Sequence, residues 1–348
     1  MSGNGEIVLC GERERKEWDT FVENSPSATI CHHFLWQTVI QSAYGHRPFY
    51  LLARDGEQVR GVLPLVLVSS RLFGSSLTSM PFLDYGGVCT HHEAVAHELV
   101  RRAQQLMHEQ AVDYVELRQR VPTNTAGNVR LDKVGMVLDI SAGSDALWTG
   151  LPSKIRNHVR KAQKSDLKVV VGGGELLDEF YGVFVENMRD LGSPVHHKNF
   201  FIRIFEQFGD QVRLFVVRDQ QLPVGGLICF FFRDTVTVPW ASTLRRYISK
   251  CPNNMLYWEA LQYACARHYQ QFDFGRSSID SGTYAFKKQW GAKPVQVYWQ
   301  LLSREVNKKS VSFSANESKY RIVIEAWKRL PVPVSAVLGP VIRRYLTN

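Results

Sequence analysis

The amino-acid sequence predicts an α/β (α+β) protein made of two similar domains, each with a mixed, mostly antiparallel sheet flanked by helices. Its 348 residues exceed the size of one typical hydrophobic core. The order helix, hairpin, strand, helix, strand occurs twice along the chain, whereas a doubly wound sheet would need strands and helices that alternate throughout. A hydrophobic share of 45% provides enough apolar surface to fill two cores.

The first half begins with helical patterns at 12–24 and 32–44. A hairpin follows, because strand-like runs at 50–53 and 61–68 flank the turn Arg54-Asp55-Gly56-Glu57. The next elements are a strand at 77–87, a helix at 92–110 and a strand at 114–118.

The second half repeats this order. Its elements are strands at 214–217, 224–232 and 236–242, a helix at 254–269 and a strand at 272–274. The Arg54-Asp55 turn recurs as Arg218-Asp219, an offset of 164, while Asn253 follows Glu93 by 160 and each lies 20 residues before an aspartate, Asp273 or Asp113. A repeat of this length indicates a duplicated domain. The predicted domains are 1–143 and 144–302, the second including a basic bridging helix at 144–165. A helical tail at 303–348 is expected to pack on the first domain or on the membrane surface.

Composition narrows the compartment and the chemistry. Six cysteines without CxxC spacing predict neither a disulfide framework nor a zinc site, and the paired histidines without HExxH predict no metal. The N-terminus has no apolar signal-peptide region and no run of 18 apolar residues occurs. We therefore expect a cytoplasmic protein, with the inner face of the cell membrane as the alternative. A net charge of +9 favours anionic partners, although it also serves solubility.

The segment 271–292 carries the densest candidate chemistry. Phe272-Asp273-Phe274 alternates like a strand, a glycine and a polar turn follow, and rings then alternate with lysines at Tyr284, Phe286, Lys287, Lys288 and Trp290. Charges among rings beside a sheet edge are typical of a binding cleft. A hairpin tip with solvated lysines is the alternative interpretation.

A second candidate is the junction between a strand and the helix at 254–269. Its basic and amide side chains are Arg245, Arg246, Lys250, Asn253 and Asn254. A helix N-terminus with such neighbours favours a phosphate-bearing donor. The alternative is an ordinary Asn-capped helix with solvated arginines. The first-half junction, at 89–92, has no arginine or lysine.

Two further sites follow from local pattern. Arg156, Arg160 and Lys164 recur at helical spacing in a stretch without acids, which suits phosphate contacts or is simply a solvated basic face. Asp84, in the predicted strand at 77–87, is placed to hold an ammonium or hydroxyl group of an acceptor or to cap a turn.

The chain resembles the Fem-type members of the GNAT acyltransferase superfamily. The duplicated unit, LPSKIRNHVRKAQKSD and FDFGRSSIDSGTYAFKKQWGA carry this resemblance. GVLPLVLV, SMPFLDYGG and WKRLPVPVSAVLGPVIRRYL are similar to the Fem-related proteins associated with exopolysaccharide and PEP-CTERM systems. The resemblance covers nearly the whole chain.

Membership would imply tandem GNAT folds with an acceptor cleft between them, and acyl-CoA or aminoacyl-tRNA as donor substrate. The Phe-Lys pair tied to the transfer site in Fem enzymes corresponds here to Phe286 and Lys287. A lysine at that position would stabilise the oxyanion or position the tRNA end.

The leading hypothesis is therefore an N-acyltransferase acting on an amine of an exopolysaccharide or peptidoglycan precursor, which could be lipid-linked. Lys287 stabilises developing charge, so its loss is expected to cost turnover and not folding, and Asp273 or Asp280 takes the amine proton. The acceptor is expected beside Asp84, Tyr85, Arg156, Arg160, Arg276 and Tyr284. The alternatives are a Fem-like aminoacyl transferase that binds charged tRNA and a non-catalytic scaffold on an anionic membrane.

Overall fold

The computed structural model describes residues 6–70, 73–125, 127–304 and 317–347, the last range without the side chains of 317–321. They fall into two compact units. The first lies within Met1–Lys133, Gln296–Ala315 and Arg344–Asn348, and the second within Val134–Val295 and Asn316–Arg343.

The elements up to residue 130 belong to the first unit. They are β1 (Glu6–Leu9), α1 (Arg15–Asn24), α2 (Leu35–Tyr44), β2 (Arg47–Asp55), β3 (Gln58–Ser70), β4 (Gly74–Thr78), β5 (Cys89–Thr90), α3 (Glu93–Glu109), β6 (Tyr114–Gln119) and β7 (Asn128–Arg130).

The chain then enters the second unit. Its elements are β8 (Lys133–Asp139), α4 (Gly143–Gly150), α5 (Ser153–Lys164), β9 (Leu167–Gly172), α6 (Leu177–Leu191), α7 (Lys198–Phe208), β10 (Val212–Asp219), β11 (Leu222–Phe232), β12 (Thr235–Thr243), α8 (Pro252–Cys265), β13 (Gln271–Ser278), α9 (Gly282–Gln289) and β14 (Lys293–Gln296). The last elements are β15 (Tyr298–Ser303), α10 (Glu317–Lys328) and α11 (Val332–Arg343).

Each unit has one sheet, and the two sheets have the same construction. The first has the order β1-β2-β3-β4-β6-β15-β7, with β5 beside β3, and the second, read from its other end, is β9-β10-β11-β12-β13-β8-β14. In both, the third-to-fourth pair along the chain is parallel, β4 with β6 and β12 with β13, and crosses over through one helix. The predicted fold class and duplication are confirmed.

The two hairpins agree even in their irregularities. The β2–β3 register shifts between Ala53 and Arg54, and the β10–β11 register shifts between Val217 and Arg218. These positions differ by the offset of 164 that the sequence predicts at the turn.

The unit bounds differ from the predicted domains because two strands join the other half's sheet. The β8 strand follows the first-half elements in sequence but lies beside β13, and β15 follows the second-half elements but lies beside β6. Pairing of this kind depends on long-range contacts that local sequence patterns do not encode.

Three predicted elements need correction. The strand expected at 77–87 ends at Thr78, because Met80 and Phe82 take positive φ angles of 47° and 74°. The bridging helix breaks into α4 and α5 at Leu151-Pro152, as the residue before a proline disfavours helical geometry. In the tail, α10 and α11 belong to the second unit, where Gly339 packs against Val195. The 344–347 segment alone packs on the first unit, through Arg344 and Tyr44.

Both sheets are covered on their faces by apolar helix surfaces. In the first unit α3 places Leu99, Ala103 and Leu106 against the strands at helical spacing. In the second, α5 and α8 cover one face through Ile155, Val159 and the aromatic rings of α8. Among the described residues, no helix combines the length and hydropathy needed to span a bilayer.

Candidate functional site in the second unit

The second sheet opens between its two parallel strands. The β12–β13 register ends at Thr237 and Asp273, although the strands continue to Thr243 and Ser278. The β11–β12 register skips there, since Phe230 faces Thr237 and Ile228 faces Trp240, which leaves one extra residue on β12. Pro239 lies in this bulge and has no N–H to offer a neighbouring strand. The bulge therefore separates β12 from β13 and exposes unpaired backbone in the opening.

Asp273 occupies the last paired position before the opening. Its carboxylate is buried, and its Oδ1 accepts a 2.8 Å hydrogen bond from the backbone N–H of Gly275. Gly275 has a φ of 75°, in the left-handed region that glycine adopts without steric cost. The glycine of FDFG thus turns a backbone donor towards the acid two residues earlier.

Lys287 lies at the end of β13 as well. The helix α9 starts at a Ser281 cap whose Oγ accepts from the Tyr284 N–H, and it buries Lys287. The Lys287 Nζ donates 2.9 Å bonds to the carbonyl oxygens of Gly275 and Arg276. The ammonium therefore ties α9 to the strand just beyond Asp273.

Two polar side chains that border the opening are buried without a hydrogen-bond partner. Asn254, in the first turn of α8, is 7% exposed and its Nδ2 is unpaired; Ser277, on β13, is 3% exposed and its Oγ is unpaired. A buried polar atom left unpaired costs about 1–3 kcal/mol. Such atoms occur where a ligand supplies the missing partner.

The predicted donor junction is partly neutralised. Arg245–Lys250 form a 3₁₀ helix before Cys251 and Pro252. The Arg246 guanidinium is paired with Glu186, and the Lys250 Nζ lies 2.5 Å from the Asp219 Oδ2. Arg245 is exposed to solvent.

The first turn of α8 offers few backbone donors. Pro252 has no N–H, and the N–H groups of Asn254 and Met255 both bond to the Cys251 carbonyl. Asn253 supplies the remaining N–H of that turn. A pyrophosphate cradle built from several adjacent N–H groups is therefore not formed here.

The remaining aromatic candidates lie in or against the apolar core. Phe286 packs on Tyr257 and Trp290, with ring centroids 5.4 Å and 6.3 Å apart. Tyr284 lies against the same core cluster and under the Lys288 ammonium. Burial raises the pKa of Tyr257, so its phenol stays protonated.

Asp280 and Arg276 lie at the exposed end of the site. Asp280 is solvent-exposed, with a φ of 63°, in the turn between β13 and α9, while Arg276 is half-buried on β13. Asp273 is therefore the buried one of the two candidate bases.

Arg156 and Arg160 have partners at α4. The Arg156 Nη1 donates to the Thr149 and Leu151 carbonyls at 3.0 Å and 2.8 Å, which caps the end of that helix. The Arg160 guanidinium lies 5.4 Å from the Trp148 ring. These contacts account for both arginines without a phosphate.

Asp84 and Tyr85 belong to the first unit, in the loop 79–87 after β4. The buried Arg118 side chain holds this loop, donating to the Leu83 carbonyl at 2.6 Å and to the Glu116 Oε1 at 2.8 Å. Arg120 lies 5.4 Å from the Tyr85 ring. Asp84 is half-buried.

The sequence pattern misaligned the two halves at this point. The parallel registers match Thr78–Glu116 with Thr237–Asp273, so Glu116, and not Asp113, corresponds to Asp273. The signal was present as Glu116-Leu117-Arg118 against Asp273-Phe274-Gly275. Among the described residues, no cluster of metal-binding side chains occurs.

Comparisons with known proteins place this geometry in context. Residues 152–288, all in the second unit, match the family model of the acetyltransferase (GNAT) domain. No curated protein matches the sequence significantly.

Solved structures match over most of the chain. FemX superposes with a TM-score of 0.66 at 14% identity, covering 85% of this chain and 97% of FemX. L-PGS from Bacillus licheniformis gives 0.57 at 11% identity over 100% of both chains. A tandem GNAT protein from the clavulanic acid biosynthesis pathway gives 0.54 at 12% identity, over 86% of this chain and 97% of its own.

These matches confirm the predicted resemblance at the level of fold, whereas the link to PEP-CTERM systems stays a prediction. The domain match at 152–288 and the Fem-like neighbours support an acyltransferase. The chain carries a GNAT acetyltransferase domain in its second unit and has the tandem GNAT fold of Fem-like acyltransferases.

Proposed function

We propose that this protein is an N-acyltransferase that binds its acyl donor in the opening between β12 and β13 and acylates an amine of a cell-envelope precursor. The observation that carries this proposal is the buried set at the opening: Asp273 at the last paired position, Lys287 beside it, and unpaired polar atoms on Asn254 and Ser277. The GNAT domain match covers all four residues.

The reaction assigned to this site is acyl transfer. The acceptor amine attacks the acyl carbonyl, a C–N bond forms, and the bond from the acyl carbon to the donor's leaving group breaks. Asp273 takes the proton that the amine loses, and the leaving thiolate or alkoxide takes up a proton. The Lys287 ammonium, fixed on the Gly275 and Arg276 carbonyls, adds positive charge near the carbonyl oxygen as it becomes an oxyanion.

The acceptor class is proposed from the sequence resemblance to Fem-type proteins. Arg276 and Tyr284 at the exposed end of the site are proposed acceptor contacts in the second unit. Asp84 and Tyr85 are proposed acceptor contacts in the first unit. A cytoplasmic location, where such precursors are made, belongs to the same proposal.

The test is a transfer assay that compares two adjacent lysines. Purified protein is given radiolabelled acetyl-CoA or charged tRNA together with amino-sugar and peptide amines. Lys287→Met is expected to lower turnover at least tenfold. Lys288→Met is the control, because Lys288 is exposed and is expected to leave turnover unchanged. Equal activity of both variants would contradict the role of Lys287. Failure of all donors and amines to react would contradict the proposed function.

A second candidate donor, aminoacyl-tRNA, is favoured by the basic side chains. Arg246 and Lys250 are already paired with acids, and Pro252 removes an N–H from the α8 turn, which weakens the case for a CoA pyrophosphate. Lys154, Lys161 and Lys164 of α5 are exposed and form no ion pair within the described residues. They suit an RNA backbone.

Salt dependence separates the two donors. Affinity for charged tRNA through α5 should fall steeply as salt rises, and a triple Lys→Gln change at 154, 161 and 164 should flatten that slope by about three phosphate contacts. Binding of acetyl-CoA alone, with no tRNA affinity, would exclude the aminoacyl-tRNA candidate.

A further inference from the structure

The C-terminal helices of the second unit expose an unusual concentration of large apolar side chains. Of the 17 large hydrophobic residues exposed among the described ones, seven fall between 322 and 341. They are Ile322, Val323, Ile324, Val334, Val337, Leu338 and Val341. A soluble surface of this length seldom carries so many without a docking role.

On α11 four of these side chains form one stripe. Val334, Val337, Leu338 and Val341 follow the spacing i, i+3, i+4, i+7 and are between 40% and 71% exposed. The opposite side of the helix is buried through Ser335, Gly339 and Pro340. The helix is thus fixed to the unit by one face and presents an apolar face to the outside.

The face opposite the stripe is held by specific contacts. An ideal Cβ on Gly339 would lie 2.9 Å from the Val195 backbone nitrogen, so the helix lies directly on that segment. The Arg343 Nε, in the last turn, lies 3.0 Å from the buried His196 Nε2, and the Arg189 Nη1 donates to the Leu330 carbonyl at 2.8 Å. The stripe is therefore presented in a defined orientation.

Charge around the stripe is positive at both ends. Lys328 and Arg329 precede α11 and Arg343 ends it, while the sequence contains no acidic residue after Glu325. The whole chain carries a net charge of +9. An apolar helix face with basic ends fits the boundary between anionic headgroups and acyl chains. The same positive ends would repel a second copy of this face.

We propose that α11 is a membrane-surface anchor that lies along an anionic lipid leaflet with the Val334, Val337, Leu338 and Val341 stripe inserted among the acyl chains. The helix is 12 residues long, or about 18 Å, so it lies on the bilayer and does not cross it. This proposal is independent of the donor and of the reaction.

Vesicle co-sedimentation of the full chain tests the anchor. The probes are phosphatidylcholine vesicles with and without about one-third phosphatidylglycerol. The wild-type protein is expected to bind the anionic vesicles at least tenfold more strongly than the neutral ones, and Val337→Glu with Val341→Glu is expected to lower that binding at least tenfold. Val121→Glu is the matched control, because Val121 is 63% exposed in the first unit and should bind like the wild type.

Three outcomes would overturn the proposal. The wild-type protein fails to bind anionic vesicles, or the double variant binds as well as the wild type does. The third is a wild-type dimer in sedimentation velocity that the double variant converts to a monomer, which would assign the stripe to a second copy of the chain. Thermal unfolding of each variant, compared with the wild type, verifies that the proteins tested are folded.

Discussion

The two units have the same sheet and differ at the same place, immediately after their last parallel pair. In the first, Glu116 at that position binds the Arg118 guanidinium, which also holds the loop 79–87, so the position is filled by the chain itself. In the second, Asp273 binds only a backbone N–H printed by Gly275's left-handed turn, and buried polar atoms nearby lack partners. The comparison teaches that a duplicated fold can specialise by filling one opening and keeping chemistry in the other.

The largest effect is expected from neutralising the two corresponding acids. Asp273→Asn should lower acyl transfer about 10²–10⁴-fold, the usual contribution of a general base, because the amide cannot take the amine proton. Glu116→Gln in the first unit should leave the transfer rate within a factor of about two while it lowers stability. Initial rates and thermal unfolding of both variants measure this. Similar rate losses in both variants would contradict the assignment of chemistry to the second unit.

Loss of the filling side chain should affect folding more than function. Arg118→Met leaves Glu116 buried without its guanidinium and should lower the free energy of unfolding by about 3–5 kcal/mol. Urea unfolding measures the change, and Arg118→Met with Glu116→Gln should recover part of it. Donor affinity should stay at the wild-type value. A loss of donor affinity in a folded variant would indicate that the first unit also binds donor.

Acid should weaken the filled unit through His32. Burial lowers the pKa of His32 to about 4, and its ring bonds the Gly87 carbonyl at the end of the loop 79–87. The unfolded chain therefore binds a proton first, so stability is complete above pH 6.5 and falls by about 3 kcal/mol as pH falls from 6.5 to 4. His32→Gln should remove this part of the pH dependence of unfolding. An unchanged pH profile in the variant would refute the buried neutral histidine.

The smallest effect is expected at the open site. Asn254→Leu removes the unpaired Nδ2, so it should raise the free energy of unfolding by up to about 1 kcal/mol and weaken donor binding roughly tenfold. Gln262→Leu, on a half-buried position of the same helix, is the control for added apolar surface. A gain in stability with donor affinity unchanged would show that Asn254 does not contact the donor.

Local pattern was sufficient for elements whose neighbours are close in sequence. The hairpins, the helices α3 and α8, and the repeat offset follow from turn residues and helical spacing. It failed where distant residues decide the conformation. The loop 79–87 looks like a strand, but Arg118 and the 344–347 segment hold it in left-handed turns.

Prediction of the site was similarly divided. The FDFG segment and its lysine were located from the sequence, since rings and charges alternate there. Phe286 and Arg156 have structural contacts that depend on α8 and α4, which no local pattern reveals. The partners of Arg246 and Lys250, Glu186 and Asp219, are likewise far away in sequence.

Backbone hydrogen exchange with and without donor tests the central claim most directly. The protein is measured alone, with acetyl-CoA and with charged tRNA. We predict that a donor slows exchange in 238–243, 252–256 and 274–278 of the second unit and leaves 79–87 and 92–96 of the first unit unchanged. Protection of the first-unit segments, or no protection of the second unit by either donor, would contradict the claim that the open site belongs to the second unit.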